Sequence, residues 1–259
     1  MRKKKHKNTR AGVRRGVHLL PNLLTSGSLF GGFYAIVAAF KGDYLIAAVA
    51  IFIAIFFDGV DGKVARLTKT TSRFGVEYDS LSDLVAFGVA PAVLVFTWAL
   101  QPYGRFGWLA AFLYVACGAL RLARFNVQLD TVEPRSFRGL PIPMAAAVIA
   151  ATVLLLHHLG ETGETKHLVL LLMIYFLAFL MVSNIHYPSF KNLELLKRKP
   201  FNALVAMTLT IVVVVAEPAI MLFIISSVYL LLGPVNVVRG WYRKWVMASN
   251  KKKAEPVTR

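Results

Sequence analysis

The sequence predicts an all-α polytopic membrane protein with about eight transmembrane helices. Three observations carry that expectation. The 259 residues are 57% hydrophobic with a mean hydropathy of +0.59. The apolar residues fall in long runs separated by short polar segments. The charge, +17 overall, is confined to those segments and to the two ends. A basic balance of this kind belongs to membrane flanks, so no nucleic-acid partner is expected.

Taken in order, residues 1–20 form a basic tail. Arg10, Arg14 and Arg15 fall largely off the face defined by Val13, Val17 and Leu20, which suggests an interfacial helix on an anionic leaflet. Gly12 and Gly16 weaken that helix, and a plain basic tail remains the alternative. No cleavable signal peptide is visible. Pro21-Asn22 opens the first span, Leu23–Phe40. Further spans read as Tyr44–Phe57, Leu84–Leu100, Phe106–Leu122, Ile142–His157, Leu168–Ser183, Ala203–Ala216 and Ile220–Val238. Several runs fall short of the roughly 20 residues that a span needs, so their helices must extend into polar flanks. The seventh is the least secure, because Glu217-Pro218 suits a re-entrant turn as well as a span end. The organisation is one catalytic membrane domain, 21–240, followed by a basic tail, 241–259.

Orientation follows from lysine and arginine. With the N-terminus inside, 27 of the 30 lie on inside segments, and only Lys41, Arg105 and Lys166 lie outside. Both termini are then cytoplasmic, and so is the segment between the second and third spans. Cys117 is the only cysteine, which excludes an intramolecular disulfide and reads as a small buried residue. His157, His158 and His167 near the outside turn lack an acidic partner set and read as loop residues.

The chemistry is concentrated between the second and third spans, in DGVDGKVARLTKTTSRFGVEYDSLSD. Asp58 and Asp61 are spaced i, i+3, and Asp79 and Asp83 are spaced i, i+4, so on helices each pair faces one way. Carboxylates at the ends of membrane helices are costly unless compensated. Four hard oxygen ligands at one depth suit one or two Mg²⁺ or Mn²⁺ ions with positions open to phosphate oxygens. An N-cap role for Asp79 is the plain alternative. A calcium loop does not fit, because its twelfth position is Lys69 rather than glutamate.

The run Asp58-x-x-Asp61-Gly62-x-x-Ala65-Arg66, eight residues, then Gly75-x-x-x-Asp79-x-x-x-Asp83, resembles the motif of the CDP-alcohol phosphotransferases at every specified position. The resemblance implies that Asp58, Asp61, Asp79 and Asp83 hold two divalent ions, Mg²⁺ or Mn²⁺, and that Asp83 is also the general base. It implies that Gly62, Arg66 and Ser72 contact the CDP-linked donor. Asn22, Thr25, Lys63 and Gly75 are placed with that donor set. Three softer runs, Arg121-Leu-Ala-Arg124-Phe-Asn126, Phe137-x-Gly139-Leu-Pro-Ile-Pro143 and Asn184-Ile-x-Tyr-Pro-Ser-Phe-Lys191, resemble the phosphatidylserine synthase branch of that family. His186 stands where the branch more often has proline. This branch implies CDP-diacylglycerol and L-serine as substrates, a homodimer, and a bacterial-type inner membrane with the site facing the cytoplasm. Arg121, Arg124, Asn126 and Arg138 are the candidates for the acceptor. For the two arginines of the fourth span, membrane anchoring is an equal alternative on spacing alone. Glycerol 3-phosphate or an inositol phosphate remains an alternative acceptor. A cation-coupled transporter is the remote alternative, since it needs polar residues on both sides of the membrane.

Overall fold

The structure, a computed structural model, describes residues 9–68, 72–129, 137–160, 168–187 and 212–254, with 205, 208 and 209. Almost all of them are helical. The chain forms α1 (Thr9–Phe40), α2 (Tyr44–Thr68), α3 (Arg73–Tyr103), α4 (Arg105–Leu129), α5 (Ile142–His158), α6 (Leu168–Val182) and α7 (Pro218–Ala254). Five of these carry stretches long and apolar enough to cross a membrane: Leu20–Phe40, Tyr44–Thr68, Arg73–Tyr103, Arg105–Val127 and Pro218–Arg239. α5 and α6 are shorter apolar helices. Of the seventh expected span, 203–216, the residues 205, 208, 209 and 212–216 are described, and all of these are helical.

Two boundaries differ from the sequence reading. α1 is continuous from Thr9 through Pro21, so the expected tail and first span share one helix. Proline forfeits one backbone hydrogen bond and crowds the preceding turn, which permits a joint as well as a stop. α7 continues to Ala254, well beyond the expected end of the last span. As expected, α2 and α3 extend past their apolar runs and carry the four aspartates on helix.

Small residues set the packing. α1 and α2 meet through Gly31, Ala35, Ala38 and Ala39 on one side and Ala47, Ala50 and Ala54 on the other. Close backbone approach of this kind is what holds helices together where lipid is as apolar as leucine. Gly32 does the same against α3, since a Cβ there would overlap Ala86. α5 is the central helix: Ala145 to Leu154 are all buried, and it packs on α2, α3 and α7. The large exposed side chains, among them Phe30, Phe33, Phe112 and Phe179, lie on outward faces that suit lipid.

α3 changes pitch just past its aspartates. Residues Leu84–Val89 form a widened π-helical turn, a feature often found at functional sites. Pro91 has no N–H to give the carbonyl of Phe87, four residues before it. The buried Tyr114 hydroxyl of α4 donates to that carbonyl instead, at 3.0 Å. The second and third of the softer runs also meet. β1 (Phe137–Arg138) pairs antiparallel with β2 (His186–Tyr187), Phe137 opposite Tyr187 and Arg138 opposite His186. Gly139 (φ +81°) follows, and its N–H donates to the Ile185 carbonyl at 2.8 Å. A side chain at 139 would strain that backbone and strike the Met181 carbonyl, which explains the glycine.

Candidate metal centre and substrate pocket

The last turns of α2 carry Asp58 and Asp61, and the middle of α3 carries Asp79 and Asp83. Asp58, Asp61 and Asp79 each present an oxygen within 4.8 Å of the others. Asp83 is outside that group of three but lies beside Asp58. Asp61 is buried, 4% exposed. The Thr25 hydroxyl of α1 reaches it at 2.8 Å, with the Pro21 carbonyl as the alternative acceptor at 3.1 Å. Ser82, beside Asp83, donates to the Thr25 carbonyl at 3.1 Å. One residue of α1 thus ties α2 to α3 at the depth of the carboxylates.

Asp79 is not a helix cap. Ser72 caps α3 by accepting the Gly75 N–H at 3.0 Å, and Asp79 lies nearly two turns further in. Among the described residues, no lysine or arginine nitrogen lies within 4.0 Å of any of the four carboxylates. Arg121 of α4 is the one cation whose charge is felt at Asp83. Clustered, partly buried carboxylates that lack cationic partners fit divalent ions, and the all-oxygen donor set suits hard ones.

A cavity of about 160 Å³ opens beside the cluster. Asn22 and Thr25 of α1, Asp61, Gly62 and Ala65 of α2, and Gly75 and Asp79 of α3 line it, with Ser72 at its edge. Gly62 has open space where a side chain would project, so a ligand can approach its backbone. Gly75 is hemmed by the Ser72 hydroxyl and the Asn22 amide oxygen. Of the seven expected donor residues outside the aspartates, five line this cavity and two do not. Asn22, Thr25, Gly62, Ser72 and Gly75 wall the cavity, whereas Arg66 is exposed and its Nε donates to the Gly62 carbonyl at 2.8 Å. Lys63, the seventh, is exposed and outside the cavity wall.

On the acceptor side, Arg121 is 9% exposed and its buried Nε has no hydrogen-bond partner. Arg124 donates to the Asn184 side-chain oxygen at 2.6 Å. Asn126 bonds Ser80 of α3 at 3.0 Å. The three residues of the fourth span thus face three different groups, and membrane anchoring does not account for the burial of Arg121. The Arg138 backbone is in β1, but its side chain lies outside the described residues, as do Arg135 and His167. His158 approaches Glu217 at 3.9 Å, remote in sequence from the cluster.

Sequence reasoning missed four participants: Asn184 as partner of Arg124, Ser80 as partner of Asn126, Tyr78 bonded to Ser26 at 2.8 Å, and Tyr229 beside Arg121. Asn184 carried a signal, since it opens one of the softer motifs. Tyr229 carried none, because it lies within an apolar run.

Comparison with known proteins bears on the same residues. The family model for CDP-alcohol phosphatidyltransferase matches residues 18–186. A Helicobacter pylori protein named CDP-diacylglycerol–serine O-phosphatidyltransferase is 39% identical over 240 residues, 92% of this chain and 98% of that protein. A protein of the same name from Methanocaldococcus jannaschii is 35% identical over 191 residues, covering 73% of this chain and 83% of the relative. An archaetidylserine synthase from Methanothermobacter thermautotrophicus is 37% identical over 171 residues, 65% and 69% of the two chains. The matched segment spans the aspartate cluster, the cavity, the first two softer runs and the start of the third, and the chain belongs to the CDP-alcohol phosphatidyltransferase family.

Proposed function

We infer that this protein transfers the phosphatidyl group of CDP-diacylglycerol to L-serine, giving phosphatidylserine and CMP. The observation that carries the reading is the gathering of Asp58, Asp61 and Asp79 within 4.8 Å beside a cavity with a glycine wall, in a chain similar along most of its length to enzymes named for this reaction. Asp58, Asp61, Asp79 and Asp83 would hold two Mg²⁺ or Mn²⁺ ions, which supply neutralising charge for a pyrophosphate.

The chain's own residues then divide the work. Gly62 admits the phosphate or ribose to the backbone, and Asn22, Ser72 and Gly75 bound the donor on the α1–α3 side. Arg66, whose Nε donates to the carbonyl of the cavity-lining Gly62, is the cation assigned to the CDP moiety. The serine hydroxyl attacks the phosphorus that bears diacylglycerol. A new O–P bond forms, the bond to the CMP oxygen breaks, and the hydroxyl proton passes to Asp83. Asp83 suits that role because it lies one turn beyond Asp79, about 6 Å along the axis, and faces Arg121. The buried guanidinium of Arg121 is suited to the serine carboxylate, with Arg124, Asn126 and Arg138 as the other acceptor candidates.

The remaining features of this reading rest on sequence. Eight spans with both termini cytoplasmic follow from the lysine and arginine distribution, as does a cytoplasmic site in a bacterial-type inner membrane. A homodimer follows from family resemblance.

The test is direct. Purified protein is incubated with CDP-diacylglycerol, Mn²⁺ and, in parallel, labelled L-serine, glycerol 3-phosphate and an inositol phosphate, and the lipid product is identified. Phosphatidylserine is expected with serine alone, and excess chelator or Asp58→Asn should abolish it. A phosphorylated acceptor used in preference to serine would overturn the assignment.

A further inference from the structure

Hydrogen bonds at two levels tie α3 to α4. At the inner end, Ser80 Oγ accepts a side-chain N–H of Asn126 at 3.0 Å. The Ser80 proton has the Val76 carbonyl at 3.1 Å and the Asn126 amide oxygen at 3.3 Å as its acceptors. Deeper in the bundle, the Tyr114 hydroxyl donates to the Phe87 carbonyl at 3.0 Å. The two helices run antiparallel, so 80 stands level with 126 and 87 with 114. Asp83 falls between the two levels on α3, and Arg121 falls between them on α4. Arg121 is also seven residues, roughly two turns, beyond Tyr114, and so shares the face that Tyr114 turns to α3. Hydrogen-bond register therefore sets the general base and the buried guanidinium opposite each other across one groove.

The two ties differ in kind. Tyr114 is fully buried, and it holds a carbonyl inside the widened turn Leu84–Val89 that Pro91 leaves free. Ser80 and Asn126 are half-buried, neutral and near the inner surface. The deep tie fixes the far end of the groove, and the inner tie sets how far α3 and α4 stand apart at Asp83. Arg124, between the two on α4, turns instead to Asn184 at 2.6 Å. Asn126 is thus the inner residue of α4 that reaches α3, and it commits an N–H to Ser80, the neighbour of Asp79 and one turn before Asp83.

We propose that Ser80 and Asn126 form a positioning pair that sets the α3–α4 spacing at Asp83, so that the acceptor hydroxyl is aligned there and water is kept out. This rests on the serine assignment above and goes beyond it, because Asn126 then acts through Ser80 and not by touching the substrate. With the pair broken, water competes for the same place. Its oxygen bonds to the phosphorus that bears diacylglycerol, the bond to the CMP oxygen breaks, and one water proton passes to Asp83. The products are phosphatidic acid and CMP.

The test uses the full-length enzyme with Ser80→Ala, Asn126→Ala, the double variant, and Ser80→Thr, which keeps the hydroxyl. Phosphatidylserine and phosphatidic acid are measured together from labelled CDP-diacylglycerol, alongside Tm in detergent. Each single alanine variant should lower kcat/KM for serine and raise the ratio of phosphatidic acid to phosphatidylserine, both by about three- to tenfold. The CDP-diacylglycerol KM should stay within about twofold and the Tm close to that of wild type. The double variant should be within about twofold of either single one, because both changes remove the same bond. Ser80→Thr should behave nearly as wild type. A Ser80→Ala enzyme that matches wild type, or effects of the two alanines that multiply, would mean that Asn126 touches the acceptor itself and would overturn the pair. A threonine variant as impaired as alanine overturns it as well, and so do losses that follow a lowered Tm with an unchanged product ratio. A wild-type enzyme that makes no phosphatidylserine overturns the serine assignment instead; phosphatidic acid release, which needs no alcohol, still tests the pair, so the two failures are distinguishable.

Discussion

Replacing Thr25 with valine isolates the contact that aims a carboxylate. The hydroxyl of this buried residue lies 2.8 Å from Asp61 Oδ2, and Asp61 is itself 4% exposed. Water therefore has little access to take the place of the lost donor. A hydrogen bond to a charged group contributes about 1.5–3 kcal/mol, against roughly 1 kcal/mol between neutral groups. The Thr25 proton has a second acceptor in the Pro21 carbonyl at 3.1 Å, which argues for the lower part of that range. About 1.5 kcal/mol is slightly more than tenfold. Removing an outer partner of a metal-ligating carboxylate typically costs 10–100-fold in metal affinity or activity, so the two routes agree. Thr25→Val should raise the Mn²⁺ concentration for half-maximal CMP release by about tenfold or more. Thr25→Ser should restore most of it, because the hydroxyl returns. The Ser82 bond to the Thr25 carbonyl survives in both variants, which keeps the α1–α3 link in place. A Thr25→Val enzyme with a metal requirement within twofold of wild type would refute the reasoning, and so would a serine variant as impaired as valine.

Three further outcomes are expected. Asp83→Asn should bind CDP-diacylglycerol nearly as wild type does but lose turnover by about 10²–10⁴, the usual contribution of a general base; donor binding lost in parallel would make Asp83 chiefly a metal ligand. Arg66→Ala should raise the CDP-diacylglycerol KM with little change for serine, because its proposed role is to meet the CDP moiety beside Gly62, which it bonds; an unchanged donor KM removes that role. Gly32→Val should lower the Tm in detergent by the equivalent of about 1–3 kcal/mol, since a side chain there overlaps Ala86 and forces α1 from α3; an unchanged Tm would mean the helices part without cost.

The parts that could be read from sequence are those in which chemistry and local spacing coincide. Asp58, Asp61, Asp79 and Asp83 announce themselves because carboxylates at i, i+3 and i, i+4 are conspicuous beside apolar runs, and helical spacing alone gives each pair a common face. The helix that carries Asp79 and Asp83 was harder to bound. Its apolar run begins at Leu84, yet the helix starts at Arg73, because Ser72 supplies a cap twelve residues before hydrophobicity takes over. The N-terminal joint was hidden for the opposite reason: Pro21 resembles a boundary, and whether a helix stops there depends on packing outside the local sequence.

Contacts between distant segments left weaker traces. Thr25 and Asp61 are 36 residues apart, Arg124 and Asn184 are 60, and Tyr187 and Leu230 are 43. Each partner had a sufficient local explanation: threonine at the start of a span, arginine at an inside helix end, tyrosine within one of the softer runs. Only the bundle shows that Arg121 and Arg124, one turn apart, do different work. Arg124 meets the Asn184 amide at an exposed edge, whereas Arg121 is driven inward, within electrostatic reach of Asp83. Snorkelling carries an arginine toward water. An arginine buried against a carboxylate cluster, with an N–H still to donate, is placed for an anion that arrives with the substrate. That difference is why acceptor recognition is proposed for Arg121 ahead of Arg124.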